Sequence, residues 1–276
     1  MDSRPSGHAG GREWRARRRP TGVAVTRDHG GVRALFDLTA AYEPTADERA
    51  APVPRIEAVL WDFSNTLFHM IGVDEWLARV AADTGRRLDD PAAVLAELDA
   101  AAADAEVVAA QEGRDVNPAA HRTAMDTWFS RVGFLAGIEE AAYARVVADD
   151  SWVPYADTAP VLRALAERGV PVGVVSDIAW DIRRHARAAG LDDLVATWVL
   201  SCEEGREKPA PELFRTACAR LGADPRRTLM VGDNPVRDGG AVAAGLRAYV
   251  LASEQRPGER GLADVLALVD RDGWPG

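Results

Sequence analysis

Residues Ala58–Phe68 read AVLWDFSNTLF. The apolar run Ala58–Trp61, bounded by turn residues, has the pattern of a strand buried in a parallel sheet. It stops abruptly at Asp62, and the polar turn of Ser64, Asn65 and Thr66 follows. Open α/β sheets bind ligands outside the carboxyl ends of their strands. Asp62 is therefore a candidate site residue. An Asp in this place can also do no more than start a turn or cap the next helix. What decides between these readings is whether the rest of the chain supplies partners for the carboxylate.

Downstream of this strand, read as Ile56–Phe63, the pattern turns helical at about Asp74. Trp76, Leu77 and Val80 share one face of a first helix. Val94, Leu95 and Leu98 mark a second. Pro118 opens a third, carrying His121, Met125, Trp128 and Phe129, and Glu139–Ala148 is a fourth. Helices without strands over residues 73–150 read as an inserted α-helical module. Strand–helix alternation then takes over. Strands are expected at 170–175, 196–200, 228–231 and 247–251. Helices are expected at 158–168, 180–189, 211–221, 236–244 and 262–269, most of them followed by a Gly. This is an α/β fold: a doubly wound, Rossmann-like parallel sheet with an inserted helical cap. Residues 55–72 and 151–276 form the core, and 73–150 the cap. Residues 1–54, rich in Gly, Pro, Arg and Ala, read as a largely disordered extension with a short helix over Val32–Tyr42.

The chain has 276 residues and a formal net charge of −10, which argues against general nucleic-acid binding. The first nineteen residues hold six Arg against Asp2 and Glu13, a net of +4, so the remainder carries −14. No apolar run approaches the roughly 20 residues that span a bilayer, and no secretory signal is read. Two cysteines, Cys202 and Cys218, fit a reducing cytoplasm. Arg is abundant, yet Lys208 is the only lysine. A lysine kept where Arg serves everywhere else marks a place suited to a compact ammonium rather than a planar fork.

Three strand ends carry Asp62, Ser176 followed by Asp177, and Asp233; Lys208 lies on a loop after another strand. Parallel strands bring these groups to one edge. Two carboxylates, a hydroxyl and an ammonium suit Mg²⁺ and a phosphoryl group.

In these residues the chain resembles the haloacid dehalogenase-like hydrolases, mainly Mg²⁺-dependent phosphatases. WDFSNTL matches the first motif at Asp62, Thr66 and Leu67. VGVVSD matches the second at Ser176, REKPAPELF the third at Lys208, and VGDNPVRDGG the fourth at Asp233 and Asp238. The resemblance covers residues 55–270 and implies the subgroup with a cap inserted after the first motif. It implies that Asp62 attacks phosphorus and that Ser176 and Lys208 bind phosphoryl oxygens, with Thr66 and Asp177 beside them. Mg²⁺ would be held by Asp62, the Ser64 carbonyl and Asp233, with Asp238 completing its shell or orienting Lys208. Asn65 replaces a frequent Gly, a mild change because Asn tolerates positive φ.

One departure matters. The family's second first-motif Asp is the general acid and base, and here it is Ser64. Losing a positioned acid/base costs roughly 10²–10⁴ in rate. The expected activity is thus hydrolysis of a small phosphorylated metabolite, with His69 or His121 as a surrogate acid or with a leaving group that needs none. A 2-haloacid dehalogenase, or a weakly active or inactive relative that binds a phosphorylated ligand, is the alternative. Cap residues Trp76, His121, Arg122, Trp128 and Arg131 are candidates to face the substrate.

Overall fold

The computed structural model describes residues 54–252 and 258–271. The disordered extension and the Val32–Tyr42 helix read from the sequence fall outside them.

Five parallel strands form the central sheet: β1 (Ala58–Trp61), β4 (Val172–Ser176), β5 (Thr197–Leu200), β6 (Thr228–Gly232) and β7 (Arg247–Val250). Their spatial order is β5-β4-β1-β6-β7. β1 is central, pairing Val59 with Val172 on one side and with Leu229 on the other. The chain builds outward from β1 to β4 and β5, then returns to place β6 on β1's free flank. That reversal puts the topological switch point between β1 and β6, where doubly wound sheets open a ligand crevice at the strand carboxyl ends.

Alternation along the strands fills both faces. Val59, Trp61, Val174 and Val231 pack on one side with Val161, Leu162 and Leu165 of α6 (Thr158–Glu167) and Val265 and Val269 of α10 (Ala263–Val269). Leu60, Val175, Val199 and Met230 pack on the other with Leu213, Phe214 and Ala217 of α9 (Pro211–Leu221). Each fully buried side chain of this size contributes about 1.5–3 kcal/mol. Gly173 in β4 has no room for a side chain, because a Cβ would stand 2.7 Å from Leu60 Cδ2.

Between β1 and the rest of the sheet lie five helices: α1 (Val73–Thr84), α2 (Pro91–Ala102), α3 (Ala105–Ala110), α4 (Pro118–Phe129) and α5 (Glu139–Val147). Side-chain caps start three of them. Asp90 accepts from Ala93 N, Asp104 from Glu106 N and Asn117 from Ala120 N, and Pro91 and Pro118 fill first-turn positions that need no N–H. The Asp104 cap divides the single Ala-rich helix read from sequence into α2 and α3. Their apolar faces make a core of their own around Trp76, Leu77, Val80, Leu98, Phe129 and Leu135.

The chain enters and leaves this helical segment through a two-stranded antiparallel ribbon, β2 (Phe68–Met70) with β3 (Trp152–Pro154), in which Phe68 faces Pro154 and Met70 faces Trp152. The helices expected at 180–189 and 236–244 are shorter. The first is α7 (Arg183–Ala188); the second is a 3₁₀ segment, Gly239–Ala244. A further single turn, α8 (Ser201–Glu204), follows β5. No helix among the described residues is long and apolar enough to cross a membrane.

Candidate active site

The first-motif loop is folded by its own backbone. Asp62 N–H donates to Val231 O at 2.8 Å, extending the β1–β6 ladder one residue past β1. Phe63 O then accepts from Leu67 N at 3.0 Å and Phe68 N at 2.9 Å, closing a tight turn. The turn puts Asn65 at φ 59°, the left-handed region that Asn tolerates.

Lys208 meets this loop from across the sheet edge. Its Nζ donates to Asp62 Oδ1 at 2.7 Å and to Asp238 Oδ1 at 2.6 Å, with all three residues buried. The sole lysine thus bridges two buried carboxylates 146 and 30 positions away in sequence. Asp238 Oδ2 accepts from Asn234 N at 2.9 Å, while Asn234 Oδ1 accepts from Val236 N and Arg237 N. This knot of side-chain and backbone bonds holds the fourth-motif loop. Gly232, ending β6, lies against the Asp238 carboxyl group, and a methyl there would overlap it.

Asp233 completes the cluster. Asp62, Asp233 and Asp238 each offer a carboxylate oxygen, all within 4.8 Å of one another. Burial pushes Asp62 up to about 7, against the pull of the Lys208 ammonium and with the help of Asp238 and Asp233. Asp233 is raised as well, by burial and then by Asp238. Three carboxyl groups share one ammonium, so ionising all of them would leave excess negative charge in a low-dielectric crevice. That is the electrostatic signature of a site suited to a divalent cation held by oxygen ligands.

Ser176 ends β4 with 1 % exposure, and its Oγ has no hydrogen-bond partner among the described residues. Thr66 Oγ1 is likewise buried and unpartnered among the described residues. A buried hydroxyl without a partner costs free energy, and a phosphoryl oxygen would remove that cost. Asp177 is already committed: Oδ1 accepts from Lys208 N at 2.8 Å and Oδ2 from Arg237 Nη1 at 2.7 Å.

A cavity of about 440 Å³ opens between this edge and the helical segment, reaching from Ser64 and Asp177 to Trp76, His121, Met125 and Trp128. Arg122 and Arg131 do not line it. Arg122 is paired with Asp126 and Glu140, and Arg131 with Glu106. The cavity does not include His69, whose Nδ1 lies 3.0 Å from Met70 O. His121 lines it but is spent as an acid: its Nδ1 lies 3.1 Å from the Tyr143 hydroxyl, and burial takes its pKa down to about 4. The expectation that His121 titrates in the useful range is corrected by that burial.

Two residues at the site gave no sequence signal. Asp115, in the turn between α3 and α4, lines the cavity, and burial raises it to about 6. Its backbone ties the helical segment to the core: its N–H donates to Glu207 Oε1 at 3.0 Å and its carbonyl accepts from Ser201 Oγ at 2.6 Å. Arg260 donates from Nε to Asn65 O at 2.6 Å. The Asp157 carboxylate fixes its loop by accepting from the backbone N–H groups of Arg260, Gly261 and Leu262.

The family model for haloacid dehalogenase-like hydrolases matches residues 56–245. The chain belongs to the haloacid dehalogenase-like hydrolases. Among curated relatives, a phosphoserine phosphatase of Thermus thermophilus is 34 % identical over 105 residues, which is 37 % of this chain and 42 % of that protein. A glyceraldehyde 3-phosphate phosphatase of Methanopyrus kandleri is 37 % identical over 95 residues, 34 % of this chain and 41 % of that protein. The chain thus spans less than half the length of these relatives. A magnesium-bound hydrolase of the same family from Bacillus subtilis superposes with a TM-score of 0.59 at 16 % identity, over 79 % of this chain and all of that one, a likeness of fold.

Proposed function

We propose that this chain is a Mg²⁺-dependent phosphatase acting on a small phosphorylated substrate, with residues 73–150 serving as the cap over its site. The observation that carries the reading is the Lys208 ammonium bridging Asp62 and Asp238, with Asp233 alongside. The named activities of the relatives, phosphoserine phosphatase and glyceraldehyde 3-phosphate phosphatase, agree with it.

Asp62, the carboxylate at the switch point, attacks phosphorus. The bond from its oxygen to phosphorus forms as the ester P–O bond breaks, and the leaving oxygen takes the electron pair. Water then attacks the aspartyl-phosphate, releasing phosphate and restoring the carboxylate. Lys208 and Ser176 hold the phosphoryl oxygens. Lys208 also favours the ionised form of Asp62 against its burial, and Asp238 and Asp177 orient Lys208. Asp62, Asp233 and the Ser64 carbonyl would hold Mg²⁺, with Asp238 beside it. Bound there, the ion supplies positive charge against the charge that develops in transfer. The crevice buries the site and limits water.

Ser64 supports a second reading, because halide leaves without a proton and a dehalogenase needs no acid. The acidic pair Asp233 and Asp238 weighs against it, since halide displacement by a carboxylate calls for no cation. The test is phosphate release from phosphomonoesters with and without Mg²⁺, run beside chloride release from 2-haloacids. Metal-dependent phosphate release lost in Asp62→Asn is expected. Chloride release without metal dependence would sink the phosphatase reading, and turnover of neither class would leave a binding protein.

A further inference from the structure

The walls of the cavity are unusual for a site that takes a small polar metabolite. Beyond Ser64 and Asp177 at the sheet edge, much of the lining is side chains with little to offer a hydroxyl or an ammonium: Trp76, Met125, Trp128, Phe129, Trp152 and Trp180. Three of the four indole N–H groups are already used within the protein. Trp128 donates to Leu98 O at 3.1 Å, Trp152 to Val146 O at 2.9 Å and Trp180 to His185 Nε2 at 3.0 Å. Of these four, Trp76 alone keeps a buried N–H without an acceptor among the described residues. Apart from that one N–H, what these rings add to the lining is hydrocarbon and π-surface.

Of the charged groups in the lining, Arg114 and Asp177 are held within the protein, the Asp115 carboxylate has only longer contacts, and Asp99 is exposed to solvent. Arg114 is bound to Gln111 and lies 3.5 Å from Asp115. Asp115 has His121 Nε2 at 3.9 Å. Asp177 holds Lys208 and Arg237.

Size and chemistry then narrow the ligand. A volume of about 440 Å³ lies in the range of small-molecule pockets. A sugar phosphate or phosphoserine would bring hydroxyl or ammonium groups out of water with few partners to meet them, a cost of about 1–3 kcal/mol for each group. An apolar ring instead gains about 25 cal/mol for each Å² it buries. Ser64 points the same way. With no acid at that position, an alkoxide leaving group is penalised. An aryloxide, whose conjugate phenol has a pKa near 10, carries the electron pair away and collects its proton from water afterwards.

We propose that this cavity takes the ring-bearing, apolar body of an aryl phosphate monoester, held with its phosphoryl group at Ser176, Lys208 and Asp62. The proposal rests on the phosphatase reading for its chemistry and on the cavity wall for its selectivity, and the two can be tested apart.

Non-hydrolysable phosphonates separate binding from leaving-group reactivity. With the full chain and Mg²⁺, tryptophan fluorescence and calorimetry would follow phenylphosphonate against 2-amino-3-phosphonopropionate, a mimic of phosphoserine. The expected result is at least tenfold tighter binding of phenylphosphonate, with the ratio falling toward one in Met125→Gln. Equal affinity, or preference for the amino acid mimic, overturns the proposal even if the protein is a phosphatase. So does faster turnover of phosphoserine than of benzyl phosphate, since both release an alkoxide. Phenylphosphonate preference with no hydrolysis of any ester upholds the pocket and sinks the phosphatase. Chloride release from 2-haloacids with no phosphonate binding overturns both.

Discussion

The carboxylate of Asp177 holds the backbone N–H of Lys208 at 2.8 Å, so the residue after β4 fixes the loop that carries the site's only ammonium. The same carboxylate takes Arg237 Nη1 at 2.7 Å, from the loop that carries Asp238. One buried side chain thus sets the spacing between two motif loops that do not otherwise share a strand.

Asp177→Ala should therefore damage catalysis without touching a reacting atom. Losing one charge-assisted bond in a buried place costs about 1.5–3 kcal/mol, and an ammonium shifted by a fraction of an ångström costs roughly tenfold or more in rate. Asp177→Asn keeps an oxygen acceptor for Lys208 N and should be milder. Steady-state kinetics of the two variants on one phosphomonoester checks this order. Equal loss in both would show that the charge toward Arg237, rather than the bond to Lys208, is what matters.

Lys208→Met should be both inactive and unstable. It strands Asp62 and Asp238, each buried, without their counter-charge. Removing one partner of a buried ion pair costs about 3–5 kcal/mol. Adding Asp238→Asn to Lys208→Met should return part of that stability in urea unfolding while activity stays lost. Lys208→Arg should not restore activity, because a planar fork cannot replace a compact ammonium between two carboxylates.

Mg²⁺ should stabilise the protein in the absence of substrate. A ligand that binds only the folded state at a hundred times its Kd adds about 2.7 kcal/mol. A rise in Tm with added Mg²⁺, much reduced in Asp233→Asn, is the expected calorimetric result. An unchanged Tm in the wild-type chain across millimolar Mg²⁺ would remove the cation site.

Asp115→Asn should raise stability at neutral and alkaline pH. Burial lifts the Asp115 carboxyl from 3.8 to about 6 in the folded chain, so above pH 6 the fold carries a charge it disfavours. A carboxyl raised on folding makes the folded state the tighter proton binder, so its unfavourable contribution is absent below pH 3.8 and grows as pH rises through 6. The amide removes that contribution, an effect of about 1–3 kcal/mol. Thermal unfolding at pH 8 and pH 4 should show a gain at the first and almost none at the second.

Much of this architecture is legible in the residues. The largely apolar runs of β1 and β6, each followed by Asp, read as buried parallel strands with their polar ends at one edge. Lys208 stood out because an Arg-rich chain kept it. Asn65 filled a place that needs positive φ, and the structure puts it at φ 59°. What escaped the sequence depends on distant pairing. β2 and β3 are three residues each, too short for alternation to show, and exist because Phe68 and Pro154 meet across the ribbon. Residues 236–238 stay out of the helix expected there because Asn234 and Asp238 tie them into a turn, leaving only Gly239–Ala244 as a 3₁₀ segment. Asp115 and Arg260 lie in turns with no periodic pattern. They matter only because the fold brings them to an edge built by other strands.

The ribbon of β2 and β3 has a consequence for how such a molecule can change. Paired positions across an antiparallel ladder stay about 4.5–5.5 Å apart whatever hangs between them. Residues 71–151 therefore form a cassette whose two ends are clamped together at Met70 and Trp152. Such a cassette can lengthen, shorten or be exchanged for another without altering the gap it must close. Asp62, Asp233, Asp238 and Lys208 all sit outside it, on strand ends and loops at one edge of the sheet.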